Sequence, residues 1–476
     1  MNSSSHSSIG SSGIEAATLT LPLAAGKAQI RFLKPGLVRV RWTPDEFSAR
    51  RSWAVTPPDE SFPGAGVLLY ENGALTGLSG ELLAVIADLD SGCLRFEDAQ
   101  GRTFFADLAA PSVDAQGVVC LKQSPAGECI YGLGQRGSTL LERGGRLHTQ
   151  WATDPVDEHT AITDPFYLAV PVLLALRPGG PSYGVVLNTT WRNSLDLSEP
   201  GQMTFRAANA ELDYYLIYGP TPAEVLNGLA GLLGGMPMPP RWALGYQQSR
   251  WSYTPQDEVL RVARELRQRG LPCDALHLDI DYMDGYRVFT WNPRTFADPP
   301  ALGQSLHELG FHLVTIIDPG VKVDAQYAVY SEGAARGFYV QDAAGDPASG
   351  FVWPDQAVFP DFLRADVRAW WGNLQKGLVE AGVDGIWNDM NEPAVFSEPF
   401  SQGGGTVGTL PLDARQGPAN EPAAHAEVHN LYGYGMAQAS YEGMRRLLNG
   451  RRPFILTRSG YAGSQRWSAA WMGDNG

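Results

Sequence analysis

Short apolar runs separated by turn residues fill the first half of the chain. Between residues 18 and 218, Gly, Pro or Asp breaks the chain into short apolar runs, such as 82–86, 183–186 and 212–218, and apolar positions alternate with polar ones in 28–32 and 38–42. Alternation with a period of two is typical of strands that bury one face. The pattern therefore predicts an antiparallel β-sandwich.

The pattern changes after a Gly- and Pro-rich stretch at residues 234–240, which predicts a domain boundary. Apolar runs of strand length then alternate with helical segments. Strands are predicted at 243–246, 275–280, 312–317, 385–388, 453–457 and 469–472, and helices at 254–270, 302–309, 363–381 and 427–448. Repeated βα units predict a parallel sheet, most simply a (β/α)8-type TIM barrel.

Six barrel strands are predicted, whereas a closed barrel of this type has eight. We therefore expect an incomplete barrel and a chain that is the front part of a longer protein. The predicted organisation is a disordered tail at residues 1–17, a β-sandwich domain at 18–235 and a partial barrel at 236–476.

Composition narrows the possible functions. Of the 476 residues, 44% are hydrophobic and 18% charged, as in ordinary globular proteins. The net charge of -15 argues against a nucleic-acid partner, and no apolar run reaches the length of a membrane span. Four scattered cysteines and the absence of a signal-peptide pattern predict a cytoplasmic protein without a disulfide scaffold. The sequence leaves the oligomeric state unknown.

Acidic and polar residues follow several predicted barrel strands. They are Asp279, Asp281, Asp284, Asp318, Asp389, Glu392, Arg458 and Asp474. The carboxyl ends of parallel barrel strands share one rim, where barrel enzymes hold their active sites. Like charges repel each other, so a converging set of carboxylates indicates a ligand or a countercharge.

Two interpretations of this acidic rim compete. A divalent cation could bind among the carboxylates. Alternatively, two carboxylates could flank a glycosidic bond, with aromatic rings beside the sugar. No histidine lies in the rim motifs, whereas Trp251, Trp353, Trp387 and Trp471 all lie near predicted rim positions. The sequence therefore favours a sugar site and predicts no metal.

Several longer motifs resemble glycoside hydrolase family 31, in its α-glucosidase branch. The clearest is Trp387-Asn388-Asp389-Met390-Asn391-Glu392-Pro393. Others occur in the same order as in the family, at residues 131–134, 279–284, 352–354, 359–362, 458–460 and 465–475. The resemblance implies that the sandwich is a galactose mutarotase-like domain.

The resemblance also implies a retaining mechanism, with Asp389 as the nucleophile and Asp474 as the acid/base. The two carboxyl groups of such a pair lie about 5–5.5 Å apart. The implied substrate-binding residues are Asp154, Trp251, Asp279, Ile316, Trp353, Trp387, Met390, Arg458 and Trp471. Glu392 and Arg466 are expected to support this site. The implied partner is a small carbohydrate substrate, and no cofactor is expected.

The predicted function is an exo-acting α-glucosidase that removes terminal non-reducing glucose from oligosaccharides. An α-glucosyl transferase, an α-xylosidase and an inactive sugar-binding fragment remain alternatives. Residues 132–137 match G-x-G-x-x-G, but a dinucleotide site would need a helix to begin there within a βαβ unit. The surrounding sequence predicts strands, so a tight turn is the better interpretation.

Overall fold

The computed structural model describes residues 13–14, 18–48, 52–155, 159–471 and 473. The chain forms two compact units. The first comprises residues 1–150, 160–164 and 170–235, and the second comprises residues 151–159, 165–169 and 236–476. Two short segments that the sequence places in the sandwich, 151–159 and 165–169, thus belong to the second unit.

Two antiparallel sheets form the first unit. One has ten strands, in the spatial order Gly13–Ile14, Val67–Asn72, Leu75–Ser79, Leu83–Asp88, Leu94–Asp98, Thr103–Asp114, Gly117–Gln123, Gln202–Ala207, Asn193–Asp196 and Leu147–Gln150. The other has seven, in the order Cys129–Gly132, Val172–Leu176, Ser182–Leu187, Leu212–Gly219, Leu37–Thr43, Gly26–Lys34 and Thr18–Leu23. Helix Pro222–Leu233 packs on the second sheet.

The predicted β-sandwich is confirmed. Alternate side chains of both sheets, such as Val38, Val40, Leu78 and Phe96, meet in one buried core. Burying one face of each sheet in this way explains the period of two in the sequence. Within the predicted tail, Gly13–Ile14 pairs with Val67–Leu68; the remainder of residues 1–17 lies outside the described part of the chain.

Six parallel strands form the main sheet of the second unit, numbered here in chain order. They are β1 (Gln247–Gln248), β2 (Ala275–Leu278), β3 (His312–Ile317), β4 (Val383–Asn388), β5 (Phe454–Thr457) and β6 (Ala469–Ala470). Each strand pairs with the next in sequence. Among the described residues, β1 and β6 do not pair with each other, so the sheet is an open partial barrel, as predicted.

Helices connect the barrel strands and pack around them. Their bounds are Gln256–Gln268, Pro299–Glu308, Ala328–Ala335, Ala365–Leu374, Lys376–Glu380, His425–Val428 and Tyr432–Leu447. Strand β4 is buried along its whole length, because a parallel sheet is covered on one face by helices and on the other by the barrel interior.

The first barrel strand differs from its prediction. Residues 241–244 form a 3-10 helix, and β1 begins only at Gln247. In place of a strand, Trp242 stacks on His312 with ring centroids 4.6 Å apart and contacts Phe454 at 5.1 Å. Aromatic packing at the start of the barrel therefore outweighs the strand-like pattern of residues 243–246.

The loops of the second unit carry further strands. Val321–Lys322, Asp355–Val358, Ser349–Val352, Val395–Phe396 and Val407–Gly408 form a five-stranded sheet, in that order. Arg415–Gln416 pairs with Ala423–Ala424, and Leu168–Ala169 pairs in parallel with Gly460–Tyr461. Across the described residues, none of the helices combines the length and apolar character needed to cross a bilayer.

Candidate active site

Arg458 lies at the centre of a buried cluster of carboxylates. It follows β5 and is 1% exposed. Its Nε lies 3.0 Å from Oδ1 of Asp389, and its Nη2 lies 3.5 Å from Oδ2 of Asp154. The guanidinium also donates two hydrogen bonds to Glu392, at 3.0 and 2.8 Å. One cation thus offsets three acidic side chains that would otherwise repel one another.

Burial and the neighbouring charges shift the pKa values of this cluster in opposite directions. Burial alone would lower the pKa of Arg458, but the charges of Asp389, Glu392 and Asp154 raise it well above its ordinary value. Burial raises the pKa of Glu392, and Arg458 opposes that rise. Arg458 therefore stays charged, and its charge attracts and orients the Asp389 carboxylate.

The backbone after β4 sets the position of Asp389. The Asp389 amide donates to the Ile317 carbonyl at the end of β3, at 3.2 Å. The next residue, Met390, has a φ of 53°, in the left-handed region that side chains rarely adopt. Its amide donates to Oδ1 of Asp389 at 2.9 Å. The tight turn at Met390 thus holds the Asp389 carboxylate at the barrel rim, and strained backbone of this kind concentrates at functional sites.

Asp154 reaches the cluster on a loop that two other residues anchor. The Ala152 amide donates to Oδ1 of Asn430 at 2.8 Å, and Nε2 of His429 hydrogen-bonds to the Ala152 carbonyl at 2.7 Å. Trp151 stacks on the His429 ring with centroids 3.9 Å apart. His429 is therefore a structural residue of the loop that carries Asp154.

Aromatic side chains line a cavity of about 580 Å³ that extends from Phe454, the first residue of β5, to Asp279 and Trp471, which follow β2 and β6. Trp251, Asp279, Trp387 and Trp471 line it, with His277 in its wall. Trp387 and Trp471 meet edge to face at 5.6 Å. Apolar walls with a few polar groups are typical of small-molecule sites, and ring faces suit the C–H faces of sugars.

His277 adds a neutral polar group to this cavity. Burial lowers its pKa to about 4, so the imidazole is uncharged near neutral pH. Its Nε2 shares a hydrogen bond of 2.8 Å with the Gln247 side chain. No motif distinguishes this histidine from an ordinary strand residue.

Other predicted residues lie around the carboxylate cluster and the aromatic cavity. Asp279 accepts a hydrogen bond from the Ile280 amide at 2.7 Å, and buried Ile316 pairs in register with Trp387. Trp353 packs against Trp251, with ring centroids 5.8 Å apart.

Two predicted residues remain to be placed. Arg466 donates a hydrogen bond to the Tyr434 hydroxyl. The predicted acid/base, Asp474, lies outside the described residues.

Comparisons with known proteins agree with this geometry. Residues 236–476 match the glycosyl hydrolases family 31 TIM-barrel domain, and residues 27–196 match the glycosyl hydrolase 31 N-terminal galactose mutarotase-like domain. The chain belongs to glycoside hydrolase family 31. The resemblance found in its motifs is therefore confirmed.

Relatives within family 31 include two microbial α-glucosidases. Alpha-glucosidase 2 of Bacillus thermoamyloliquefaciens is 36% identical over 454 residues, which are 94% of this chain and 56% of that protein. An α-glucosidase of Saccharolobus solfataricus is 33% identical over 75% of this chain and 53% of its own length. The chain thus spans about half the length of these relatives.

Among solved structures, a family 31 dextranase from Flavobacterium johnsoniae, in complex with glucose, has a similar fold. Its TM-score is 0.86 at 26% identity, over 98% of this chain and 56% of the dextranase. The similarity extends over both the sandwich and the partial barrel.

Tyr167 is a site residue that the motifs did not identify in this family 31 chain. The Arg458 guanidinium lies over its ring, 4.9 Å from the centroid. The Tyr167 carbonyl accepts a hydrogen bond of 2.9 Å from the Ser459 hydroxyl. Tyr167 lies in a stretch that the sequence assigns to the sandwich, so nothing local indicated its contact with the barrel.

Proposed function

We propose that this chain carries the site of a retaining exo-α-glucosidase, with Asp389 as the nucleophile and Asp474 as the acid/base. The observation that carries the proposal is the buried Asp389 carboxylate at the end of β4, 3.0 Å from Arg458. A permanently charged guanidinium at this distance attracts the carboxylate and holds its orientation. The α-glucosidase relatives support the choice of substrate class.

The proposed reaction has two steps. In the first, an Asp389 oxygen forms an ester bond to the anomeric carbon while the bond from that carbon to the leaving oxygen breaks. Asp474 gives its proton to the leaving oxygen. In the second, water attacks the anomeric carbon, Asp474 takes the proton from the water, and the ester bond to Asp389 breaks. The released glucose keeps the α configuration.

The aromatic cavity supports action on a chain end. Its volume of about 580 Å³ is that of a small-molecule pocket. Trp251, Trp387 and Trp471 provide apolar surface for a sugar ring, while Asp279 provides a hydrogen-bond acceptor for hydroxyl groups. Similarity to a dextranase favours α-1,6-linked glucans as a second candidate substrate class.

Turnover of p-nitrophenyl α-glucoside tests the proposal. We expect the wild-type chain to release nitrophenol and Asp389→Asn to lose about 10⁴-fold or more in kcat. Asp366→Asn, whose side chain is 54% exposed, is the control and should keep wild-type activity. Wild-type turnover by Asp389→Asn would contradict the assignment, whereas absence of turnover by the wild-type chain would favour the inactive sugar-binding fragment.

Two further measurements define the reaction and substrate. Proton NMR of the first product formed should show α-glucose, whereas β-glucose would overturn the retaining mechanism. Initial rates on maltose, isomaltose and p-nitrophenyl α-xyloside separate the alternatives. Faster turnover of the xyloside than of the glucoside would indicate an α-xylosidase, and dominant formation of longer glucosides would indicate a transferase.

A further inference from the structure

Two histidines and an aspartate converge at the end of the barrel strands opposite to Asp389. His307 lies in the last turn of helix Pro299–Glu308, His312 begins β3, and Asp384 is the second residue of β4. Nε2 of His307 and Nδ1 of His312 lie 2.7 and 3.0 Å from the same oxygen, Oδ2 of Asp384. One potential ligand atom from each residue thus lies within 4.8 Å of the other two.

The surroundings of this cluster hold the three groups in place and leave them accessible. The Asp384 side chain is 4% exposed, and its other oxygen accepts a hydrogen bond of 2.8 Å from Arg451. The side chains of His307 and His312 are 39% and 35% exposed, so an ion can reach them from solvent. Trp242 stacks on the His312 ring and fixes its plane. Outer contacts of this kind orient metal ligands in proteins.

We propose that His307, His312 and Asp384 bind a transition-metal ion of the zinc class, with water as the fourth ligand. Tetrahedral zinc binds nitrogen and oxygen at about 2.0–2.1 Å, which places neighbouring ligand atoms about 3.3 Å apart. To reach that geometry, the two nitrogen-to-oxygen separations need to widen by about half an ångström, and the two nitrogens, which lie within 4.8 Å of each other, need to come to the same spacing. Two imidazoles and one carboxylate favour zinc, cobalt or nickel over calcium and magnesium, which prefer oxygen ligands.

The position of this site indicates a structural role for the metal. It links a helix and two neighbouring strands at the N-terminal end of the barrel, the face associated with stability in such folds. Bound metal should therefore raise the thermal midpoint of unfolding. This inference does not depend on the proposed glucosidase activity.

Metal titration of the 476-residue chain tests the site, with any affinity tag removed and bound metal stripped. We expect Co²⁺ to produce the visible absorption of a tetrahedral complex and to saturate at one ion per chain. Zn²⁺ should displace it and raise the unfolding midpoint, while Mg²⁺ should do neither. Absence of saturable Co²⁺ and Zn²⁺ binding would overturn the proposal and leave a hydrogen-bonded His–Asp–Arg cluster.

Matched variants locate the ion. His307→Gln and His312→Gln each remove one ligand but keep a polar side chain, and each should weaken binding by more than about 100-fold, the upper range for loss of an outer contact. Arg451→Gln alters an outer contact of Asp384 but removes no ligand, so any loss of affinity should stay below about 100-fold. Unchanged binding in both histidine variants would refute the site.

X-ray absorption of the zinc-loaded wild-type chain tests the ligands without any variant. Two imidazole ligands are expected, and sulfur ligation would contradict the proposal.

Discussion

Replacing Arg458 with methionine should destabilise the second unit strongly. The substitution keeps an unbranched side chain but removes the charge that contacts Asp389, Glu392 and Asp154 at 3.0, 2.8 and 3.5 Å. At an effective dielectric constant of about 20, each contact is worth about 5 kcal/mol of attraction. Desolvation of the buried ions offsets most of that sum, and removing one partner of a buried ion pair costs about 3–5 kcal/mol. We expect a loss of this size at pH 8.

The loss should shrink on acidification. Burial already raises the pKa of Glu392, and without Arg458 that pKa rises further. A carboxyl whose folded pKa lies above its unfolded value binds a proton preferentially in the folded state, so the folded Arg458→Met variant regains stability as pH falls. The difference from wild type should therefore be smaller at pH 5 than at pH 8.

Urea unfolding followed by tryptophan fluorescence measures this loss, because most of the tryptophans lie in the second unit. The double variant Arg458→Met/Glu392→Gln provides the matched control. Removing one of the unpaired carboxylates should recover a large part of the lost stability. A loss below about 1 kcal/mol in the single variant, or a further loss in the double variant, would show that the charge of Arg458 does not stabilise the carboxylate cluster.

Three other predictions follow from single contacts. Asn430→Ala removes the acceptor of the Ala152 amide. Hydrogen exchange of that amide should accelerate by a factor that corresponds to about 1–3 kcal/mol of opening free energy, and unchanged exchange would contradict the anchoring role of Asn430. Tyr167→Leu removes the ring under Arg458 and should cost about 1–2 kcal/mol in urea unfolding, whereas no loss would exclude a cation–π contribution. Burial raises the pKa of Asp361 from 3.8 to about 6. As pH rises from 4 to 7, the free energy of unfolding of wild type should therefore fall by up to about 3 kcal/mol relative to that of Asp361→Asn. If wild type instead gained stability relative to Asp361→Asn as pH rises, the pKa of Asp361 would not be raised in the folded state.

The local sequence pattern was sufficient to predict a strand where both faces of that strand are buried. Strand β3 occupies the predicted residues 312–317, because a strand covered on both faces appears as a continuous apolar run. Strand β1 is only Gln247–Gln248 and carries no such run. Helix Ala328–Ala335 and the five-stranded loop sheet were not predicted, since their short segments lack a clear period.

For the site, residues inside long motifs could be predicted, whereas contacts between distant segments could not. Asp389, Glu392 and Arg458 follow β4 and β5, so a parallel barrel brings them to one rim. Tyr167 and Asn430 carry no motif, and their roles depend on the packing of segments 151–159 and 165–169 in the second unit.

The proposed metal site could not be predicted from the sequence for the same reason. His307 and His312 are five residues apart, but Asp384 joins them only through the pairing of β3 with β4. No sequence spacing distinguishes this arrangement from separate surface residues. The register of neighbouring strands is what brings the three side chains together.

Covalent trapping identifies the nucleophile directly. An activated 5-fluoro-α-glucosyl fluoride should form a long-lived glycosyl-enzyme, which adds one fluoroglucosyl group to the intact mass of the chain. Peptide mapping should place that group on Asp389, and Asp389→Asn should remain unlabelled. Labelling of another carboxylate, or no labelling of the wild-type chain, would contradict the role of Asp389 as the nucleophile.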